Sequence, residues 1–236
     1  MRDGDVFISG DDAHHITRVL RLRVDDRVEC VDPLGQVHLV QIQELGPTVR
    51  GIVLETCQGS QESPLHLTLF QGLAKGDKMD LVMQKAVELG VAEIVPFTSR
   101  YTVVQLEPKQ AKSRHDRWER IALEAAKQCR RARLPVVHGL HTFGEMVASI
   151  EERHRKGDLV LLAYEAEKQV GIGQLEGQPE AVAAIVGPEG GFAPEEVQVL
   201  TSVGARACTL GPRTLRTETG GIVLLSVLGY KWGDLG

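Results

Sequence analysis

The chain has 236 residues, 42% of them hydrophobic and 25% charged, with a formal net charge of −5. Those proportions belong to a globular protein with core enough for one or two domains, and the negative balance excludes a general nucleic-acid coat. No apolar run approaches a bilayer span, and the opening MRDGDVF lacks the apolar core of a signal peptide. Cys30, Cys57, Cys129 and Cys208 show neither CxxC pairing nor metal-ligand spacing, and read as reduced, mostly buried thiols of a cytosolic protein. His14, His15, His138 and His141 have no thiol or carboxylate partner at helical or hairpin spacing, so no metal is expected.

The first sixty residues read as a small β domain. Residues 6–8, 27–31, 37–42 and 48–54 are short β-rich runs of the kind that make a barrel, with a turn at Asp32-Pro33-Leu34-Gly35. One helix is expected over residues 11–22, capped by Asp11 or Asp12, with Ile16, Val19 and Leu20 on one face. His15, Arg18, Arg21 and Arg23 largely avoid that face, and so meet either phosphates or solvent. A linker is read at residues 59–64, GSQESP.

Beyond it strands and helices alternate, the pattern of a parallel sheet. Residues 65–70 and 91–97 are strands flanking a helix over 79–89, with Lys75 and Lys78 in the loop before that helix. Arg100 follows the end of the second strand. A helix over 112–131 buries Trp118, Ile121, Ala125 and Cys129; residues 109–134 carry nine Lys and Arg against three Asp and Glu. Such a patch is an RNA-facing surface or a solvated helix face. A strand at 135–137, a helix at 143–153 and a strand at 158–163 follow. GIGQLEG at 171–177 spaces its glycines one position too far for a dinucleotide fingerprint and reads as a surface loop.

Two glycine-rich loops dominate the C-terminal part. Strand 181–186 runs into GPEGG, then Pro194, Glu195 and Glu196 open a helix; strand 207–210 runs into GPRTLRTETGG. Glycine lets backbone N–H groups approach a flat polar ligand, and ligands of open α/β sheets sit beyond the carboxyl ends of strands. Taken singly, each loop is better read as a tight strand-to-helix turn; two within thirty residues, the second carrying Arg213, Arg216, Thr217 and Glu218, point to a site. The helix over 220–228 is apolar all round and must be buried, as packing against a second subunit would achieve.

GPEGG followed by LGPRTLRTET resembles the paired signature of the SPOUT class of RNA methyltransferases, and within it the RsmE family, which methylates N3 of a uridine in small-subunit ribosomal RNA. HHITRVLRLRVDD is similar to that family's PUA-like domain, and GLAKGDKMD and WERIALEAAKQCRRARLP to stretches of its catalytic domain. The resemblance implies a PUA-like β-barrel RNA-binding domain over residues 1–63 and an α/β methyltransferase domain, a parallel sheet with a C-terminal trefoil knot, over 64–236. It implies S-adenosylmethionine as cofactor, a homodimer, and a decoding-region uridine of 16S ribosomal RNA, within the small subunit, as target.

On that resemblance Leu210, Gly211 and Leu215 meet the adenine, while Gly187, Pro188, Glu189, Gly190 and Gly191 close over ribose and methionine. Leu162, Ala163, Arg216 and Thr217 complete the pocket, with Tyr164-Glu165-Ala166-Glu167, by its position after a strand, as the third loop that walls it. Arg216 is the cation that stabilises charge on the uracil; Glu218 is its proton acceptor or, alternatively, a helix cap. His15, Arg18, Arg21, Arg23, Lys75, Lys78 and Arg100 would contact RNA. Arg130 replaces a family glycine, and Gly220 and Gly221 replace alanines. The alternatives are a SPOUT enzyme acting on transfer RNA or a ribose hydroxyl, a non-catalytic RNA-binding protein and, weakest, a nicotinamide-dependent oxidoreductase.

Overall fold

The structure is a computed structural model that describes residues 4–32, 34–58 and 62–236. Residues 1–3, Pro33 of the expected turn and residues 59–61 of the expected linker lie outside the described residues. The chain divides into two compact units, one of Met1–Glu62 with Arg131–Arg133, the other of Ser63–Arg130 with Leu134–Gly236.

The N-terminal unit is an antiparallel sheet of β1 (Asp5–Ser9), β2 (Arg27–Val31), β3 (Gln36–Glu44) and β4 (Thr48–Gln58), in the order β1-β4-β3-β2. His38, Val40 and Ile42 of β3 alternate inward, the period of a half-buried strand. Ala13 and Ile16 cover Ile42 and Val49 to close a small core. Ala13 comes from α1 (Gly10–His14), which widens into a π-helical turn over His15–Val19, where the Leu20 N–H bonds the His15 carbonyl at 2.9 Å. This corrects the expected single helix over 11–22. The wider turn carries Val19 and Leu20 off the face of Ile16, leaving them 59% and 51% exposed. Arg21 then ends the segment in a left-handed conformation, φ +53°.

The C-terminal unit is built on a six-stranded parallel sheet: β5 (His66–Gly72), β6 (Glu93–Phe97), β7 (Val136–Val137), β8 (Leu159–Ala163), β9 (Ala181–Val186) and β10 (Arg206–Cys208), ordered β10-β8-β9-β5-β6-β7. The chain steps outward from β5 to β7, then crosses back to β8, so the strand order reverses in mid-sheet. Alternate residues of the central strands feed opposite cores. Leu161, Val182 and Ala184 face α2 (Lys78–Glu88), α3 (Pro108–Gln128) and α6 (Thr217–Trp232), while Val160, Leu162, Ala183 and Ile185 face α4 (Phe143–Lys156) and α5 (Pro194–Ser202). Burial on both sides is why these strands are apolar throughout.

Two helices and one loop depart from what the sequence leads one to expect. α3 starts at Pro108, which suits the first helical turn, with Glu107 as its cap, and buries Trp118, Ala122, Ala125 and Ala126; Ile121 and Cys129 are only partly buried. It stops at Gln128, and Arg130 takes φ +58°, so the turn keeps the left-handed geometry of a glycine without having one. α6 begins at Thr217 and packs on α2, β5 and β9 of its own chain. Leu224, Leu225 and Leu228 are covered by the chain itself, while Ile222, Val223 and Val227 stay partly exposed. The GIGQLEG segment is also not a free surface loop: Ile172 is buried in the core, and the Thr209 N–H bonds the Val170 carbonyl at 2.8 Å.

Candidate active site

β8, β9 and β10 end on the same edge of the sheet, and the loops that leave them enclose a cavity of about 410 Å³. That volume suits a cofactor-sized ligand. Its floor is the loop after β9. The φ of Gly191 is +66°, and a Cβ there would come within 2.9 Å of Glu165 Oε1 from the loop after β8. A side chain at 191 would be strained by that φ and would push the Glu165 carboxylate aside. Phe192 lies against Phe97 with ring centroids 5.9 Å apart and nearly parallel, which holds the end of this loop on the core.

Ala163, Gly187, Pro188, Glu189, Gly190, Gly191, Leu210, Gly211, Leu215, Arg216 and Thr217 all line the cavity. Leu162 does not: its side chain is fully buried on the opposite face of the sheet. The lining also includes Tyr164, Glu165 and Lys168, Thr209, Arg213 and Thr214, Phe192, Gly220 and Lys78. Of these, Thr214 stands inside the second loop motif beside Arg213 and could have been named from it. Tyr164 to Lys168 carry no signal beyond following a strand.

The charged groups are arranged in two sets. Lys78, at the start of α2, sends its ammonium to Glu189 Oε1 at 3.0 Å and lies 3.7 Å from Glu218 Oε2. Burial raises the Glu189 pKa, but the Lys75 N–H and the Lys78 ammonium outweigh it and hold that carboxyl below its ordinary range. Glu218 is nine-tenths buried and is not among the residues that line the cavity; its Oε2 has no hydrogen-bond partner among the described residues. It does not cap α6, whose N-terminus receives no side-chain hydrogen bond. On the other side Arg213 and Arg216 are exposed, and among the described residues neither side chain has an ion-pair or hydrogen-bond partner.

Beneath the cavity a buried polar link joins three elements. Gln71 at the end of β5 donates to the Thr217 hydroxyl at 2.8 Å, and that hydroxyl donates to the Gly187 carbonyl. Of the four cysteines, expected mostly buried, only Cys208 is: Cys30 and Cys129 are half-buried and Cys57 is exposed. Burial together with the charge of Glu167 pushes the Cys208 thiol, at the end of β10, up to about 12; it is a core residue and no nucleophile.

The remaining candidates lie elsewhere. His15, Arg18, Arg21 and Arg23 are exposed on the N-terminal unit. Lys75 is exposed, Lys78 is turned into the cavity, and Arg100 is 3.5 Å from Glu195 on the surface. Among the described residues His115, Asp116 and Glu119 bring ligand atoms within 4.8 Å of one another, on α3 and away from the cavity lining.

A parallel α/β sheet whose order reverses beside a cavity of glycine loops defines a ligand-binding domain of the open α/β class. The family described as the RNA methyltransferase domain matches residues 61–229, and the one described as the RNA methyltransferase PUA domain matches residues 8–48. The ribosomal RNA small subunit methyltransferase E of Bacillus subtilis is 34% identical over 95% of this chain and 89% of its own length. Its namesake in Aquifex aeolicus is 33% identical over 96% and 95%. The crystal structure of the Neisseria gonorrhoeae ribosomal RNA small subunit methyltransferase E bound to S-adenosyl methionine superposes with a TM-score of 0.87, at 30% identity over 98% of this chain and 94% of that one. The chain belongs to the ribosomal RNA small subunit methyltransferase E family.

Proposed function

We propose that this protein transfers a methyl group from S-adenosylmethionine to N3 of a decoding-region uridine in 16S ribosomal RNA. The observation that carries the reading is the joining of residues 187–192 and 209–217 around one cavity, with the unpaired Arg216 in its wall and the buried Glu218 behind Lys78. The cavity fits the donor's chemistry. Glu165 stands ready for a cationic group, Arg213 for a carboxylate, and the uncapped amides of α6 for polar acceptors.

Leu210, Gly211 and Leu215 would hold the adenine through their backbones, and Gly187 to Gly191 the ribose and methionine. Bound there, the donor supplies an electrophilic methyl on its sulfonium. Uracil N3 carries a weakly acidic hydrogen, which must leave before or as the new bond forms. Arg216 stabilises the negative charge that then spreads over the flanking carbonyl oxygens; arginine stays protonated and cannot be the base. Glu218 takes the proton, with the Lys78 ammonium holding its charge in place. Because N3 lies on the pairing edge, the uridine enters unpaired.

The same reading assigns residues 1–63 to RNA binding through His15, Arg18, Arg21 and Arg23, and residues 64–236 to catalysis, with Lys75 and Arg100 also toward RNA. It includes a C-terminal knot, a homodimer with Tyr230, 71% exposed on α6, as a contact, the assembled small subunit as the setting, and a cytoplasmic site of action. No helix among the described residues is long and apolar enough to cross a membrane. The test is mass spectrometry of ribosomal RNA after incubation with the protein and methyl-labelled S-adenosylmethionine. The expected product is 3-methyluridine; label in a ribose, in transfer RNA alone or nowhere would reject the assignment.

A further inference from the structure

A second groove, of about 420 Å³, opens at the carboxyl ends of β6 and β7, on the same edge of the sheet as the first cavity. Its floor is apolar: Val104, Leu106 and Leu140 are half-buried and pack on the main core. Its rim is polar and under-used. Among the described residues the buried Ser99 hydroxyl has no hydrogen-bond partner, and neither has the exposed Gln105 side chain. The Nδ1–H of His141 is engaged by the Gly139 carbonyl at 2.9 Å, which leaves Nε2 as a free acceptor. Arg100 stands at the mouth, 5.9 Å over the ring of Tyr101. Its ion pair with Glu195 joins side chains 64% and 71% exposed, so an incoming anion displaces it at little cost.

An apolar floor, hydrogen-bonding groups of both senses at the edge and a cation at the mouth match an unpaired nucleotide: a flat base, its pairing edge and its phosphate. We propose that this groove holds a nucleotide of the substrate RNA next to the one methylated, with the base on Val104, Leu106 and Leu140, Gln105 and His141 at its edge, and Arg100 on its phosphate. The proposal rests on the RNA methyltransferase reading above and adds to it a subsite for sequence selection. Tyr101 links this groove to the cofactor loop. It sits so close to Gly190 that a Cβ on that glycine would come within 2.7 Å of the Tyr101 Cβ. RNA bound at 98–106 therefore presses on the loop that closes over the donor.

Steady-state methylation of ribosomal RNA tests the idea, with calorimetry of S-adenosylmethionine alongside. Gln105→Ala and His141→Ala are expected to raise the KM for RNA about tenfold, with kcat and cofactor affinity within about twofold of the parent. Arg100→Ala is expected to weaken RNA binding and reduce its salt dependence by about one phosphate contact. A target-site oligonucleotide carrying 4-thiouridine beside the modified position should crosslink to a peptide containing residues 98–106. If the parent methylates RNA while both variants keep its KM and the crosslink maps elsewhere, the groove is no subsite and the function stands. If the parent binds the cofactor yet methylates no RNA, the functional reading fails and this proposal with it.

Discussion

The amide of Gln71 and the hydroxyl of Thr217 meet across 2.8 Å although 146 residues separate them in the chain. Both are buried, and the hydroxyl passes the link on to the carbonyl of Gly187. One hydrogen-bond chain thus fixes the end of β5, the start of α6 and the first residue of the glycine loop. Thr217→Val keeps the shape but leaves the Gly187 carbonyl without this partner. A loss of about 1–3 kcal/mol in urea unfolding is expected, with weaker S-adenosylmethionine binding by calorimetry because the loop is no longer held. Unchanged affinity in a destabilised variant would confine the link to folding.

The neighbouring glycines Gly220 and Gly221 should respond in opposite directions. A Cβ at 220 would lie 3.4 Å from Val186 Cγ1, an ordinary contact, so Gly220→Ala gains helix propensity of about 1 kcal/mol. A Cβ at 221 would lie 2.7 Å from Gln71 Oε1, and Gln71 is fully buried and tied to Thr217 and Gly72. Gly221→Ala is therefore expected to lose about 1–3 kcal/mol, read as a lower denaturation midpoint. Equal effects at the two sites would refute the distinction.

These glycines mark how far the sequence could be read. Strands such as β9 were plain because burial on both faces makes them apolar end to end, and the site loops because glycine and proline interrupt at once. What local pattern lacks is partnership across the chain. Nothing near Lys78 announces Glu189, which the fold brings to it from 111 residues away. Gln71 drew no notice inside a strand for the same reason. The π turn at His15–Val19 was missed because its residues suit an ordinary helix, and Ile172 was hidden in a glycine-rich stretch that reads as exposed.

Arg130 offers a stability test away from the site. It is exposed and held at φ +58°, where a side chain costs about 1–2 kcal/mol relative to a right-handed conformation. Arg130→Gly is expected to be neutral or to gain up to about 1 kcal/mol, since glycine's freedom in the unfolded chain offsets part of the relief. Arg130→Val, β-branched, should lose more than about 1 kcal/mol. Chemical denaturation of the two variants decides it.

Glu93 sets a pH dependence. Its carboxylate accepts from His138 Nε2 at 2.8 Å, Arg153 Nη2 at 2.8 Å and His66 Nε2 at 2.9 Å. The bond from His138 outweighs the opposing effect of burial and, with Arg153 and His66, holds the carboxyl far below the usual carboxylate range. A depressed folded pKa stabilises above the unfolded value, about 4.3, and the gain is lost as pH falls below it. Glu93→Gln should thus destabilise by about 1–3 kcal/mol at pH 7, and the gap to the parent should narrow between about pH 5 and pH 3. A gap that stays constant over that range would exclude the carboxylate as its source.

Arg216 and Glu218 stand two residues apart and are expected to fail in different ways. Arg216 is unpaired in the cavity wall, so its charge is available to the uracil and not committed to the fold. Arg216→Ala should lower kcat by about 10²–10³ with cofactor affinity nearly unchanged, and Arg216→Lys should recover only part of it, a point charge being a poor substitute for a planar fork. Glu218 is buried beside Lys78, and Glu218→Gln removes a proton acceptor while keeping its shape. Its kcat should fall by about 10²–10⁴ at neutral pH and rise again as pH is raised and uracil N3 loses its proton unaided. Arg216→Ala should show no such recovery. Rate profiles against pH for the two variants separate the roles, and parallel profiles would mean that Glu218 accepts no proton and that its burial against Lys78 serves only to seat α2 on α6.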